Sequence, residues 1–267
     1  MSGSDGPASG LIAEPSSVYA ELRSPPELAS HACCMWTQTA GPTGHVQRVL
    51  PDGCVDVVSM AGGELVVAGP ATGHVLAEIP AGVTAIGVRF GPGAAGAALG
   101  MPASDLQDRT TELAELWGAP GRELTERMAL ESPARRLGLL AAVLARRLRD
   151  AAPPDPVVAR AASLLASGMA VAETGREVAI GERHLRRRFH DAVGYGPKTL
   201  QRIMRLRRFL ELVEAMPEPD VGRAAVEVGY SDQPHLTRES TALAGLSPVA
   251  LLESRLTRGV VDGVRRR

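Results

Sequence analysis

The sequence predicts a two-domain α+β protein. An antiparallel, barrel-like β-rich N-terminal domain with accompanying helices is followed by an all-α domain in which one pair of short helices is used twice. Three observations carry this reading. Hydrophobic spacing changes from strand-like to helical after Gly91-Pro92-Gly93. A stiff Pro153-Pro154-Asp155-Pro156 break then divides the chain. The two parts also differ in charge: residues 155–267 hold 18 Lys+Arg against 14 Asp+Glu, whereas residues 1–154 hold 11 against 16.

Each part is long enough to bury a core, since the whole chain has 267 residues. Apolar residues make up 45%, which excludes a disordered chain, but aromatic residues are only 3%. The cores must therefore rest on Leu, Val and Ala, with Trp36 and Trp117 as packing anchors. The longest apolar run, 137–145, is too short for a membrane span, which needs roughly 20 residues. The start of the chain lacks a basic, apolar signal sequence. With only Cys33, Cys34 and Cys54, no disulfide framework is expected, and the composition fits a reducing, cytoplasmic setting.

In chain order, residues 1–30 read as a poorly ordered lead-in, interrupted by Pro15, Pro25 and Pro26. Short β-branched runs follow at 46–50, 54–60, 64–68, 75–79 and 84–90. The turn signals Pro51-Asp52-Gly53, Ala61-Gly62-Gly63, Gly69-Pro70 and Pro80-Ala81-Gly82 separate them, the spacing of an antiparallel sheet or small barrel. One or two short helices fit 104–117. A stronger helix over 132–150 begins with Ser132 as N-cap and Pro133 at the first helical position. Its stripe of Leu137, Leu140, Leu144 and Leu148 has two open readings, a cover for the domain's own sheet or a seam with a second chain. The first domain is therefore bounded at 31–152.

Beyond the break everything reads helical, at about 157–167, 171–178, 182–192, 197–215, 220–228, 232–243 and from 248 on. Two short-helix pairs flank one long helix, the pattern of a repeated helix-turn-helix unit over 155–255 with a basic tail at 256–267. In the first unit Val178, Ile180, Leu185 and Phe189 form the expected interhelical core, leaving Arg183, His184, Arg186 and Arg187 outside. In the second, Val226, Val228, Leu236 and Leu243 play that part, with Ser231 as N-cap and Gln233, His235, Thr237 and Arg238 outside. These side chains suit base readout: Arg donates two hydrogen bonds to guanine, Gln pairs with adenine, and a Thr methyl meets that of thymine. The stretch 183–208 holds nine basic residues and one acidic residue, Asp191. Arg188, Lys198, Arg202 and Arg205 are assigned to phosphates, where they add salt-dependent affinity rather than specificity; for Arg202, Arg205, Arg207 and Arg208 on the long helix, acidic side chains are the other reading.

At this point the chain resembles the AraC/XylS regulators. The first signature is Arg183-His184-Leu185-Arg186-Arg187-Arg188-Phe189 with Gly194 and Pro197; the second runs from Gly229-Tyr230-Ser231 to Thr237-Arg238, then Gly245-Leu246-Ser247-Pro248. The resemblance implies seven helices, two recognition helices reading successive major grooves, and a fused sensing or dimerising domain. The chain departs from the family pattern at Thr174-Gly175, Ala179, Gly181 and Ser240. A helix-interior Gly alone costs about 1 kcal/mol relative to Ala, so the departures bear on binding by the first unit.

The N-terminal part resembles the β-rich domain carried by a subset of actinobacterial-looking regulators of this type. The matching stretches run from Val49-Leu50-Pro51-Asp52-Gly53-Cys54, through Val67-Ala68-Gly69-Pro70 and Gly87-Val88-Arg89-Phe90-Gly91-Pro92-Gly93, to Leu116-Trp117-Gly118. Within it Asp56 and Arg89 fall on strands, where a charge needs a partner or a polar cavity. An internal ion pair is the simpler reading; the pair also stands as the candidate ligand contact. Cys54 reads as a core residue, and His31, His45 and His74 as surface or turn residues. No catalytic residue, metal site or cofactor is implied, since no cluster of His, Glu or Cys has ligand spacing.

The expected function is sequence-specific DNA binding in transcription regulation, modulated by a small-molecule effector at the N-terminal domain. Double-stranded DNA, the effector, RNA polymerase and a second copy of the chain are the expected partners, with no membrane. Two alternatives stay open: a constitutive DNA-binding protein whose N-terminal domain only dimerises, and a DNA-repair or metal-dependent enzyme fused to the DNA-binding part.

Overall fold

A computed structural model describes residues 17–257. The N-terminal domain is built from strands β1 (Ser17–Leu22), β2 (Ala32–Ala40), β3 (His45–Val49), β4 (Val55–Ser59), β5 (Leu65–Ala68), β6 (Val75–Ile79), β7 (Thr84–Phe90) and β8 (Thr110–Glu112). Helices α1 (Gly96–Leu99), α2 (Leu113–Trp117), α3 (Ala119–Ala129) and α4 (Pro133–Leu148) complete it. Six strands form one antiparallel sheet in the order β1-β2-β7-β4-β5-β8, and β3 and β6 form a separate two-stranded ribbon.

Alternation along the strands divides the sheet into two faces. Val55 and Val57 of β4, Leu65 and Val67 of β5, and Ile86, Val88 and Phe90 of β7 are buried against the helices. The leucine stripe of α4 (Leu137, Leu140, Leu144 and Leu148) lies in that same core, so it covers the domain's own sheet. Each such Leu stabilises the fold by roughly 1.5–3 kcal/mol relative to exposure. Trp36, Ala40 and Ala85 on the opposite face pack with Ile79 of the ribbon.

Several expectations are corrected. The sheet is not a barrel: its outer strands β1 and β8 do not pair with each other. The helical layer buries the apolar face, so the sheet need not curl onto itself. The lead-in ends at Ser17, where β1 joins β2 along six residue pairs, and Leu28 is fully buried. Residues 1–16 and 258–267, the rest of the lead-in and most of the basic tail, lie outside the described residues. His31 and His45 are buried rather than on the surface.

The C-terminal domain comprises α5 (Pro156–Ala166), α6 (Val171–Glu177), α7 (Glu182–Val193), α8 (Pro197–Ala215), α9 (Val221–Glu227), α10 (Gln233–Ala244) and α11 (Pro248–Thr257). Asp155 caps α5, accepting hydrogen bonds from the Val157 and Val158 amides at 2.9 and 3.4 Å. One apolar cluster runs through both helix pairs, including Leu185 and Phe189 of α7, Leu200, Ile203 and Phe209 of α8, and Leu236 and Leu243 of α10.

The two domains are packed together. Leu50 leans on the helical core, and the Pro51-Asp52-Gly53 turn is wedged against α8. Gly53 has φ +82°, and a Cβ there would come within 2.8 Å of Leu200 Cδ1, so both backbone and space require glycine. Asp52 pairs with Arg207 of α8 at 3.4 Å. Arg48 of β3 donates to the Ala244 carbonyl at the end of α10, at 2.9 Å.

Candidate nucleic-acid interface

In each unit a short supporting helix packs across a second helix whose apolar stripe faces inward. On α7, Leu185, Phe189 and Val193 are buried, which turns Arg183, His184, Arg186 and Arg187 outward, and all four are exposed. On α10, Leu236, Leu243 and Ala244 face the core, leaving Gln233, Thr237 and Arg238 exposed and His235 half-buried. The structure thus brings the eight residues assigned to base readout onto the outer faces of two helices that both pack against α8.

The expected interhelical residues need one correction. Val178, Ile180 and Val228 pack against the helical core, but Val226 is 70% exposed. Ala224 and Ala225, both buried, fill its place beside Val221, so α9 turns an earlier face inward than Val226 suggests. The N-cap of α10 is Asp232 rather than Ser231. Its carboxylate accepts from the His235 amide at 2.6 Å, and that bond holds the Asp232 pKa below the usual carboxylate range.

The departures from the family pattern have distinct local effects. Thr174 is fully buried, and its hydroxyl has no hydrogen-bond partner among the described residues. Ala179 occupies the turn with φ +54°, a conformation that disfavours residues with a Cβ. Ser240, also fully buried, donates to the Leu246 carbonyl at 2.8 Å and so ties the end of α10 to the following turn.

Glu239 was not legible as a site residue, yet it organises the second unit. Only 4% exposed, its carboxylate accepts from Arg205 Nη2 at 2.6 Å, from Arg202 Nε at 3.3 Å and from the Tyr230 hydroxyl at 3.2 Å. His235 Nε2 lies 3.6 Å away, and the Arg205 guanidinium stacks 4.7 Å from the centre of the Tyr230 ring. Burial alone would lower the pKa of Arg205, but the Glu239 contact outweighs it and holds it above its ordinary value. Burial, with the neighbouring Glu239 charge, likewise raises that of the Tyr230 hydroxyl. The available sequence signal was an acid between Leu236 and Leu243 on the inward stripe, a position that demands buried cations.

The remaining phosphate candidates sit differently. Arg188 binds Asp155 through Nη2 at 2.6 Å, joining α7 to the start of α5. Lys198 is exposed at the first turn of α8 and donates to Gln201 at 2.9 Å. Lys198, Gln201, Arg205 and Arg208 line a cleft of about 480 Å³ between the two units.

In the N-terminal domain Arg89 Nε meets both Asp56 oxygens, at 3.1 and 3.2 Å, and the Trp36 indole donates to Asp56 at 2.7 Å. Burial pushes the Asp56 carboxyl up, and Arg89 pulls it back. Arg89 also faces Asp52 at 3.9 Å, so a chain of charges runs from the sheet through Asp52 to Arg207 of α8. Among the described residues no group of three or more His, Cys, Asp and Glu is gathered as metal ligands, and no helix is long and apolar enough to cross a membrane.

Two family models match the chain. Residues 20–112 match a domain of unknown function, DUF6597, and residues 174–254 match a helix-turn-helix domain. None of the curated proteins matches. Among solved structures, ToxT from Vibrio cholerae O395 aligns with a TM-score of 0.42 and 9% identity, over 80% of this chain and 94% of that one. A second ToxT crystal form from Vibrio cholerae gives a TM-score of 0.37 and 8% identity, over 89% and 97%. The chain thus carries a DUF6597 domain ahead of a helix-turn-helix domain, and its helical part holds two helix-turn-helix units.

Proposed function

We propose that this chain is an AraC-type DNA-binding transcription regulator that reads two successive major grooves on one face of DNA, with α7 in the first and α10 in the second. The observation that carries this reading is the pair of exposed polar faces on helices whose opposite faces are buried. Arg183, His184, Arg186, Arg187, Gln233, His235, Thr237 and Arg238 make the base contacts in this reading. Lys198, with Arg188 and the half-exposed Arg202, meets phosphates. Arg205, tied to Glu239 and Tyr230, acts by positioning α10.

Selection of duplexes from a random pool by the full chain, at stated salt, tests the reading. Enrichment of two short motifs separated by about one helical turn is the expected result. A single motif, or binding without sequence preference, overturns the two-groove assignment.

Effector control would act through the charge chain from Asp56 and Arg89 to Arg207, since a ligand that engages Arg89 competes with Asp52. A ligand of this kind must raise the stability of the native protein. A thermal-shift screen of small anions against wild type and Arg89→Ala therefore checks it; shifts that survive the substitution place the ligand elsewhere.

A further inference from the structure

We propose that residues 70–74, which join β5 to β6, form a gauge that fixes how far apart the two recognition helices lie, and so which half-site spacing the chain accepts. The link to spacing rests on the two-groove reading above; the gauge itself does not.

The two helices end alike. Gly194 after α7 and Gly245 after α10 both take left-handed backbones, with φ +96° and +70°. Each amide closes the last turn by donating to the carbonyl four residues back, His190 at 2.8 Å and Thr241 at 2.9 Å. A cap without a Cβ lets another chain segment come close, and the N-terminal domain uses both caps. A Cβ on Gly194 would overlap Pro70 Cγ, and one on Gly245 would overlap the His74 imidazole. Arg48 of the neighbouring strand adds its hydrogen bond to the Ala244 carbonyl at 2.9 Å. A single short segment therefore touches the same structural position in both units. Those contacts lie at the far ends of the helices from Arg183, His184, Gln233 and His235, so they leave the reading faces open.

The segment is braced along its length. Thr72 donates to Asp108 twice, through its amide at 2.6 Å and its hydroxyl at 2.7 Å. The Asp108 amide in turn donates to the Pro70 carbonyl at 3.1 Å, and the Gly69 amide to the Arg109 carbonyl at 2.9 Å. A Cβ on Gly69 would overlap the Leu106 carbonyl, so the exit from β5 is pressed against the short turn Ala103–Leu106. Pro70 is buried and brings a fixed φ; His74 is half-buried. The bend at Thr72 is thus pinned between its two grips, and the segment has little slack with which to follow a drift of either helix.

Within the helical domain the two units are joined by α8 and the apolar cluster around it. Packed helices slide past one another in small shear steps, which a braced strut across both helix ends opposes. Half-site spacing is sensitive to such sliding. One base pair added between two half-sites moves the second by about 3.4 Å and turns it by about 34–36°. Pro70 and His74 act here as positioning residues: they touch no base, and their effect passes through Gly194 and Gly245.

The test is spacing discrimination, the ratio of affinities for the selected duplex and for one with a base pair added between its two motifs. Arg48→Ala combined with His74→Ala releases α10. Asp108→Gly frees the bend and suits the φ of +54° at that residue, so it keeps the fold. In both variants the ratio should fall by about fivefold or more, the lower end of coupling between distinct sites, while base preference within each motif stays as in wild type. A wild-type ratio, with affinity for both duplexes lowered alike, makes the contacts merely structural and overturns the gauge. The geometry is read without DNA from the distance between spin labels on Asp191→Cys and Thr241→Cys, in a full chain whose native cysteines are serine. One narrow distance is expected with the segment intact, and a broader distribution in the two releasing variants; equal widths overturn the gauge. If the full chain selects no two-part motif, the two-groove reading fails, and the label distances still decide the gauge.

Discussion

At Ala179 the backbone takes φ +54° in the turn of the first unit, where a side chain meets the following carbonyl. Glycine relieves that strain, so Ala179→Gly should raise stability by about 1 kcal/mol, read as a higher denaturation midpoint in urea. An unchanged or lower midpoint would show that the turn carries no strain. The exposed arginines make a different kind of prediction. Arg187→Ala or Arg238→Ala should cost about 1–3 kcal/mol on the selected duplex and relax preference at one base pair. Equal losses on specific and random DNA would move that residue from the bases to the phosphates. These positions were legible in the sequence because surface chemistry on an amphipathic helix follows from spacing alone. The strain at Ala179 was legible only as a missing glycine.

At the scale of the element, α10 is held by a buried acid rather than by apolar packing alone. Glu239→Ala leaves Arg205 without its closest partner beneath the Tyr230 ring, and removing one member of a buried pair costs about 3–5 kcal/mol. The thermal midpoint should therefore fall by several degrees, and Glu239→Gln should recover part of it through its remaining hydrogen bonds. A surface-like loss below about 1 kcal/mol would contradict the buried hub. At the start of α5, the Asp155 carboxylate both caps the helix and pairs with Arg188. Burial would raise its pKa, but hydrogen bonds from Arg188 and from the Val157 and Val158 amides outweigh this and hold it below the ordinary value. A depressed carboxylate contributes stability that is present above its unfolded pKa, near about 3.9, and is lost as pH falls through the lower folded value. Asp155→Asn should therefore flatten the acid side of the stability–pH curve, and identical acid limbs for the two proteins would remove Asp155 from that role.

For the molecule as a whole, the junction between domains is the feature with the widest reach. Asp52 joins Arg89 of the sheet to Arg207 of α8, and Arg48 reaches the end of α10, so the N-terminal domain touches the connecting helix and the second unit together. A double-mutant cycle between Asp52→Ala and Arg207→Ala should give a coupling of about 0.5–1 kcal/mol, since the pair is partly exposed. Zero coupling would reduce the contact to simple proximity. Pro51-Asp52-Gly53 reads in sequence only as a turn, because turn chemistry announces a change of chain direction and not the surface against which the turn is pressed.

What the sequence determined by itself was local and periodic: the switch from strands to helices after residue 93, the repeated helix pair, the break at Asp155 and the outward faces of α7 and α10. Each depends on spacing along a single element, which the chain carries intact. Only the tertiary structure decided that the sheet stays open under α4, that Glu239 gathers Arg202, Arg205 and Tyr230, and that Asp52 bridges the domains. Those outcomes join residues far apart in the chain. Which distant groups meet is set by how whole elements pack against one another, and no spacing within a single helix or strand encodes it.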